Sequence, residues 1–440
     1  MIKAYFMVIW PRRLGSPLLS LAAAAMLLVS ACGGGADTTG RDPVQLTFWA
    51  WVPGMDKAVE LFNRTHDDVQ VRLDNIPPGP EGGYAKIHAA VLAGDAPCLA
   101  QMEFQELPSF LLNAELTDLN PYLTDADRAG FQQNTWDLVT YEGGTYAVPQ
   151  ATGPMALYYR ADLFDKWGIE VPTTWAEYRE AAAKVRAADP DAYVTNFPAN
   201  DASPFISLAW QAGTPWFDTR GGVWNAKMTS PETLKVADYW QGMIKDGLVK
   251  VGPHFAPGWY KDLASGNLVA IPLAQWGEAI LAANAPDTAG KWRAAPLPQW
   301  EAGGKASASN GGSSTALLRG CEHPREAAEF ALWINRDPGS VAMLIESGYG
   351  WPAALDGMSS PSLTKPSAFL GGQRTDKLFT EASNQVPRGW VWWPGYDETR
   401  QTLNDSFPRA LAGEGTFSGA LRAAQTQVVE QLREKGLKAQ

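Results

Sequence analysis

The stretch VQLTFWAWVPGMDKAVELFNRTHDDVQVRLDNI, residues 44–76, decides the fold class. Its two ends alternate apolar and polar residues, which predicts strands, whereas Met55, Ala58, Val59 and Phe62 between them share one helical face. The pattern then repeats once more. The predicted elements are a strand over 44–51, a helix over 54–66, a strand over 69–76, a helix over 84–94 and a strand over 98–104. This order predicts an α/β fold, a parallel sheet with helices on its faces.

The carboxyl ends of these strands predict a binding rim. Ligands of open parallel sheets bind outside the carboxyl ends of the strands. Trp49 and Trp51 lie at the end of the first predicted strand, and Glu103 and Gln105 lie at the end of the third. We therefore expect these four side chains at one edge of the sheet.

The middle of the chain gives further strand and helix signals. Residues 145–150 and 154–160 have the composition of two short strands, and Thr174 is a plausible N-cap for the helix that follows it. The stretch EAGGKASASNGGSS, residues 301–314, is polar and rich in glycine and serine, which predicts a loop. A strand over 314–321 and an amphipathic helix over 324–335 follow, and the last thirty residues predict another helix.

The N-terminus has the layout of a secretion signal. Lys3, Arg12 and Arg13 precede the apolar run PLLSLAAAAMLLVSA, residues 17–31. That run is shorter than the roughly 20 residues that span a bilayer. Its end, Val29-Ser30-Ala31-Cys32, is similar to a bacterial lipobox, in which the signal peptide is removed before a cysteine that then receives a lipid. The alternative is an ordinary signal peptide followed by a chance cysteine.

Charge and length limit the function further. A chain of 440 residues predicts two or more domains. Loss of residues 1–31 removes three positive charges and no negative ones, which changes the net charge from −11 to about −14. An acidic chain disfavours nucleic acid as a partner. Cys98 and Cys321 remain after Cys32, and in an oxidising compartment they are candidates for one disulfide.

One long segment carries a family resemblance. YEGGTYAVPQATGPMALYYRADLFDKWGIEVPTTWAEYREAAAKV, residues 141–185, resembles the extracellular solute-binding proteins of family 1, the maltose and oligosaccharide-binding group of ABC importers. Segments 48–71, 268–281 and 323–335 match in the same order, and the resemblance covers residues 44–435. It implies a two-lobe periplasmic-binding-protein fold of type II-like form. Each lobe has a mainly parallel sheet flanked by helices, and a ligand cleft lies between lobes that close by a hinge.

The resemblance also implies a domain organisation and partners. The implied divisions are a lipoprotein signal peptide over 1–31, a flexible tether over 32–43, lobe one over 44–151 and 316–352, and lobe two over 152–315 and 353–440. Crossing segments are expected near 150–155, 312–317 and 351–358. The implied partners are a small-molecule carbohydrate, the ABC permease transmembrane subunits and a membrane reached through the lipid anchor, with the protein a monomer on the outer face of the cell membrane. We expect no cofactor.

A sugar ring needs flat apolar plates and a few fixed hydrogen-bonding groups. The chain has 19 tryptophans, and the family places several near its cleft. The ligand-binding candidates are Trp49, Trp51, Glu103, Gln105, Gln150, Asp201, Trp276, Glu278, Trp351, Trp390 and Trp392, and Arg388 and Trp393 are two further candidates. In an extended 390–393 segment, Trp393 would face away from the other two indoles. Trp136, Trp175, Trp240 and Trp333 lie in helical patterns and are expected to be structural.

Other functions remain open at this point. The four histidines have no metal-ligand spacing, so we expect no metal site. There is no nucleophile motif or phosphate-binding loop, and we expect no catalytic residues. A tethered glycoside hydrolase would need two carboxylates about 5 to 10 Å apart, and carboxylates are plentiful. A receptor for glycerol phosphodiesters would need Arg and Lys in the cleft, and one for polyamines would need several acids.

The resemblance gives the two late cysteines a common location. In the family, the strand that begins at Cys98 and the strand that ends at Cys321 are antiparallel neighbours in the sheet of lobe one. The start of one strand then lies beside the end of the other, at the edge opposite the ligand rim. The resemblance therefore implies a Cys98–Cys321 disulfide, and the alternative is two free, buried thiols.

The lipobox predicts a modified N-terminus. Mass spectrometry of the protein from its native host should identify an N-terminal peptide that begins with lipidated Cys32, because removal of the signal peptide exposes that residue. An unmodified peptide that begins upstream of residue 32 would contradict the prediction.

Overall fold

The computed structural model describes residues 42–440. The signal peptide over 1–31, Cys32 and most of the predicted tether lie outside the described residues.

The described chain has fourteen strands and seventeen α-helices. The strands are β1 Val44–Ala50, β2 Val69–Asn75, β3 Leu99–Glu103, β4 Thr140–Tyr141, β5 Gly144–Thr145, β6 Ala147–Arg160, β7 Asn196–Pro198, β8 Phe217–Asp218, β9 Asn225–Ala226, β10 Lys250–Gly252, β11 Ala270–Ala274, β12 Trp292–Ala295, β13 Ser309–Leu317 and β14 Trp351–Pro352. The first helices are α1 Met55–Thr65, α2 Gly83–Ala93, α3 Leu107–Leu112, α4 Asp125–Ala129, α5 Gln133–Asp137, α6 Ala161–Trp167, α7 Trp175–Ala188, α8 Ser203–Gln211 and α9 Pro231–Lys245. The later helices are α10 Pro257–Ser265, α11 Gly277–Asn284, α12 Pro324–Arg336, α13 Pro338–Glu346, α14 Pro361–Thr364, α15 Asp376–Asn384, α16 Tyr396–Leu411 and α17 Phe417–Glu434.

The N-terminal part of the sheet has the predicted parallel arrangement. β1 pairs in parallel with both β2 and β3, and α1 and α2 connect these strands. β13 then pairs antiparallel with β3 and carries the sheet on to β6. The β-α-β-α-β prediction for residues 44–104 is therefore confirmed. The alternation of β1 is visible in its burial, because Leu46, Phe48 and Ala50 are buried and their neighbours are partly exposed.

The long strand β6 joins two parts of the sheet. Its first half pairs antiparallel with β13 and β14, and its second half pairs antiparallel with β11 and β12. Beside β11, a parallel bridge between Tyr193 and Leu268 leads to the parallel pair of β7 and β10. The predicted crossing segments fall on β6, β13 and β14, while the proposed lobe boundaries stay a prediction.

Two predictions about these strands are wrong. Residues 145–150 and 154–160 are not two strands, because β6 runs without a break through Pro149 and Pro154. Prolines are rare in central strands, since they donate no backbone hydrogen bond, and their presence predicts a break in the strand. The predicted loop over 301–314 is strand from Ser309 onward, where its small residues pair with β6 across register shifts.

Small residues are needed where β6 and β13 meet. A Cβ atom on Gly153 would lie 1.9 Å from the carbonyl oxygen of Asn310, so no larger residue fits at this position. On the other strand, Gly312 has a φ of 120° and faces Phe104 and the Ala151 carbonyl. The glycines that suggested a loop therefore allow close approach of two backbones.

The helices follow the predicted signals. Thr174 caps α7: its hydroxyl accepts a hydrogen bond from the Glu177 amide, and the Glu177 carboxylate accepts one from the Thr174 amide. This capping box satisfies two donors at the start of the helix. The predicted helices over 324–335 and at the end of the chain are α12 and α17. In residues 42–440 no helix is both long enough and apolar enough to cross a bilayer.

The four tryptophans that the sequence predicts to be structural pack against other side chains of the fold. Trp136, Trp175 and Trp240 are buried, and Trp175 packs edge-on against Trp240 with ring centroids 5.8 Å apart. Trp333 is partly exposed on α12 and packs against Phe62 of α1. These indoles fill space between helices and sheet.

Cys98 and Cys321 form a disulfide. Their Cα atoms are 4.5 Å apart, which is within the range that a disulfide requires. Cys98 comes directly before β3 and Cys321 follows β13, and the two strands are antiparallel neighbours. The bond lies at the amino end of β3 and links chain segments 223 positions apart.

The disulfide predicts the thiol count of the mature protein. Purified, delipidated protein that is denatured without reductant should show no thiol reactive toward a thiol reagent at Cys98 or Cys321. Reduction before the titration should release two thiols per chain. Two reactive thiols in the unreduced sample would contradict the bond.

Candidate functional site

A cavity of about 370 Å³ opens at the carboxyl ends of β1 and β3. One side is formed by residues that follow or end these strands, Trp51, Glu103 and Gln105. The opposite side comes from the start of α8, from the turn before α10, from Trp276 and from the segment that leads into α16. The glycine and serine-rich start of β13 lies between them and contributes residues 309–313.

Aromatic side chains line both sides of the cavity. Trp51 stands edge-on to Tyr84, with ring centroids 5.9 Å apart. Its backbone amide donates to the Gln101 side-chain oxygen at 3.1 Å, and this bond fixes the turn after β1. Trp276, just before α11, donates its indole N–H to the Asn310 carbonyl at 3.0 Å. Both indoles line the cavity.

Trp392 adds a donor as well as a plate. Its ring packs edge-on against Trp210 and Tyr396, and it is 8% exposed. The indole N–H is buried and has no partner among the described residues. Because burying an unpaired donor costs free energy, this group is one that a bound acceptor would satisfy.

Glu103 is the carboxylate at the end of β3. The Tyr84 hydroxyl donates to one of its oxygens at 2.8 Å, and the Glu103 amide donates back to that hydroxyl. Loss of hydration raises the pKa of Glu103 above its ordinary value, with Asp397 adding to the rise and Arg400 opposing it. A carboxylate with an incomplete set of donors is a strong acceptor for ligand hydroxyl groups.

Three further charged groups form a network on the opposite side. Arg400 of α16 donates to Asp397 at 3.1 Å, and its guanidinium lies 3.8 Å from Asp201. Asp201 also accepts bonds from the amide and hydroxyl of Ser203 at the start of α8. Arg400 is therefore committed to two carboxylates and holds them in place.

His254 presents a neutral ring to the site. The Asn196 side chain donates to the Gly252 carbonyl, which directs its own oxygen toward the Nε2 atom of His254 at 3.0 Å. This arrangement places the proton on Nε2 and leaves a lone pair on Nδ1, which has no partner among the described residues. Burial lowers the pKa of His254 to about 4, so the ring is an acceptor at neutral pH.

The structure brings six of the predicted ligand-binding residues together. Those that line the cavity are Trp51, Glu103, Gln105, Asp201, Trp276 and Trp392. The other five, Trp49, Gln150, Glu278, Trp351 and Trp390, do not line it. Ligand contact by the six remains a prediction.

Each of the five has a local reason for its position. Trp49 points to the side, where it donates to Asp74 and lies under the Lys86 ammonium. Gln150 is fully buried in β6 and accepts from Ser313. Glu278 bonds to the Ser367 hydroxyl.

The remaining two tryptophans are core residues. Trp351 of β14 is 1% exposed and packs against Phe379. Trp390 is 3% exposed and stacks on Trp210 with ring centroids 4.9 Å apart. Of the two further candidates, Trp393 is fully buried against Phe217, and Arg388 pairs with Asp137. Only Trp392 of the three late indoles therefore reaches the cavity.

Several cavity residues were not predicted. They are His254, Phe255, Asn310, Tyr349, Tyr396, Asp397 and Arg400, among others. Phe255 had a usable signal, because HFAPGW places an aromatic residue in a turn before a helix. The charged residues of α16 had none, since Asp and Arg on a helix are usually solvent-facing.

Among residues 42–440, no three His, Cys, Asp or Glu side chains come together in a way that could hold a metal ion. The arrangement offers aromatic plates, hydroxyl and amide groups, and carboxylates. It can therefore hold a polar ligand that has apolar faces.

The sequence matches the family model of the bacterial extracellular solute-binding protein over residues 50–340. The arabinooligosaccharide-binding protein of Bacillus subtilis is 26% identical over 78% of this chain and 81% of its own length. The lactose-binding protein of Rhizobium radiobacter is 26% identical over 94% of this chain and 97% of its own.

Solved structures agree with the sequence comparison. The galacto-N-biose and lacto-N-biose I-binding protein of Bifidobacterium longum, in complex with lacto-N-biose, superposes with a TM-score of 0.82 at 27% identity. The alignment covers 91% of this chain and all of that protein. A binding protein from B. animalis subsp. lactis, in complex with β-1,6-galactobiose, gives 0.76 at 26% identity over 90% of this chain and all of its own.

These matches extend over most of the described chain, and the fold and the family agree. The prediction of a two-lobe α/β binding-protein fold is confirmed. The chain belongs to the bacterial extracellular solute-binding protein family, in its sugar-binding group.

Proposed function

We propose that this protein is a non-catalytic receptor that binds a neutral di- or oligosaccharide in the cavity and delivers it to an ABC permease. The observation that carries the proposal is the combination of aromatic plates with fixed acceptors in one cavity. Trp51 and Trp276 offer flat faces for the C–H faces of a sugar, and Glu103 offers an acceptor for its hydroxyl groups. The relatives are named as binding proteins for arabinooligosaccharides, lactose and other disaccharides, and these names support the same ligand class.

The proposal includes the location of the protein. The lipobox at Cys32 would tether the folded part to the outer face of the membrane, and a relative from Streptomyces antibioticus that is named a lipoprotein supports this. The lobes would divide as predicted from the sequence, 44–151 with 316–352 and 152–315 with 353–440. Closure of these lobes around the sugar would form the surface that the permease recognises.

The chemistry of the cavity disfavours a phosphodiester ligand. A phosphate group needs several free basic side chains, and the guanidinium of Arg400 is already paired with Asp397 and close to Asp201. A polyamine ligand has more support, since Glu103 stands with two further carboxylates in the cavity. The aromatic plates favour a sugar over a polyamine as the ligand. Spermidine, a polyamine, is therefore included in the ligand panel as the alternative to the sugars.

A ligand panel with a matched pair of variants tests the proposal. Thermal unfolding should shift upward with one or more of lactose, lacto-N-biose, β-1,6-galactobiose and arabinobiose, because a ligand at 100 times its Kd stabilises by about 2.7 kcal/mol. In Trp276→Ala, calorimetry should show affinity weakened by on the order of 5- to 150-fold, since one buried plate contributes about 1 to 3 kcal/mol.

Trp333→Ala is the control, because it removes an indole that packs on α1 outside the cavity. Its affinity should equal that of the wild type. A shift with spermidine and none with sugars would replace the proposed ligand class, and hydrolysis of an aryl glycoside by the purified protein would replace the receptor role with a hydrolase.

The raised pKa of Glu103 predicts two opposite effects of Glu103→Gln. A carboxyl group whose pKa is higher in the folded chain than in the unfolded chain destabilises the fold as pH rises through the folded pKa. The free energy of unfolding of the ligand-free variant, relative to that of the wild type, should therefore increase as the pH rises above about 4.3, the ordinary pKa of a glutamate carboxyl group. Its sugar affinity should be lower than that of the wild type, because a carboxylate that can accept from hydroxyl groups is replaced by an amide.

Glu278→Gln is the matched control. Burial also raises the pKa of Glu278, which bonds to Ser367 outside the cavity. That variant should show the gain in stability at high pH without a loss of affinity. Equal sugar affinity in Glu103→Gln and the wild type would remove Glu103 from the binding site.

A further inference from the structure

We propose that Phe255 is a second stacking plate of the cavity, held beside Trp276 by a strained turn, so that the site takes at least two joined sugar units. This inference rests on the proposed saccharide-binding function.

Phe255 has a backbone conformation that bulky residues rarely adopt. Its φ is 58°, in the left-handed region that favours glycine. Phe255 is 38% exposed, although Trp259, which packs against its ring, is buried. Both the unfavourable φ and the exposure of a large apolar ring lower the stability of the fold. Such backbone strain persists where the surrounding structure imposes it, and it is concentrated at functional sites.

The surrounding structure does impose this turn. On the N-terminal side, the Asn200 side chain bonds to both the amide and the carbonyl group of His254, at 2.9 and 3.4 Å. On the C-terminal side, Pro257 starts α10 and restricts Ala256 to an extended conformation, with φ −96° and ψ 157°. Phe255 is thus fixed between two anchored residues.

The turn directs the ring into the cavity next to Trp276. The two ring centroids are 6.1 Å apart and the planes are inclined by 47°. Trp276 is itself fixed by its bond to the Asn310 carbonyl, and Phe255 is supported from behind by Trp259, edge-on at 5.2 Å. Both plates line the same cavity.

The side chains of Trp276 and Phe255, inclined to each other, suit two adjacent sugar rings of one ligand. A single sugar ring can stack on one plate, whereas the second plate gains contact only when a second ring is joined to the first and turned relative to it. Phe255 would then contribute to the affinity for disaccharides and longer chains and leave the affinity for a monosaccharide nearly unchanged.

The test compares Phe255→Ala, Phe255→Gly and Phe255→Tyr with the wild type. The probes are the disaccharide of the four-sugar panel that gives the largest shift and its constituent monosaccharides, measured by calorimetry. Phe255→Ala should bind the disaccharide about tenfold more weakly, the factor that corresponds to one lost plate, and the monosaccharides equally well. Phe255→Tyr should restore disaccharide binding.

Denaturant unfolding without ligand tests the strain and shows that each variant folds. Phe255→Gly should have a higher denaturation midpoint than Phe255→Ala, because only glycine adopts a φ of 58° at little cost. Equal midpoints would overturn the strained turn. The Gly and Ala variants should share the same loss of disaccharide affinity.

The remaining outcomes separate this inference from the proposed function. Unchanged disaccharide affinity in Phe255→Ala, or an equal loss for disaccharide and monosaccharide, would overturn the second plate while the receptor role stands. If wild-type protein binds no sugar of the panel, the proposed function fails and the two-plate inference fails with it.

Discussion

Backbone hydrogen bonding to a single strand, β6, ties together the segments that surround the cavity. β13 and β14 pair with its first half and β11 and β12 with its second, so the residues that follow β11 and those at the start of β13 are positioned by one continuous backbone. Close contact between β6 and β13 depends on Gly153, where no side chain fits. The placement of Trp276 opposite Trp51 follows from this pairing.

The regular elements were predictable because their patterns are local. Alternation in β1, the apolar face of α1 and the capping box of α7 each lie within a few residues. The sequence predicts two strands where β6 is continuous, because prolines are unfavourable in most strands. It predicts a loop at the start of β13, because nothing local indicates that the glycines there meet another backbone. Both errors concern the long-range pairing of the same two strands.

The candidate site was predictable only in part, for a related reason. Trp51, Glu103 and Trp276 directly follow or end strands, so topology alone brings them to one edge. Trp351 and Trp390 are chemically just as suitable, yet they pack against Phe379 and Trp210, and only tertiary packing decides this. Phe255 and Arg400 reach the cavity through a turn conformation and a helix orientation, which composition does not specify.

The bond between Cys98 and Cys321 makes the intervening chain a closed covalent ring. That ring contains β6, the nine helices α3 to α11, and most residues of the cavity wall opposite Trp51. A protease that cuts an exposed loop anywhere inside it produces two fragments that still travel as one molecule until a reductant is added. For a protein exposed on the outside of a cell, where proteases are common and reductants scarce, a single nick would therefore not release either half.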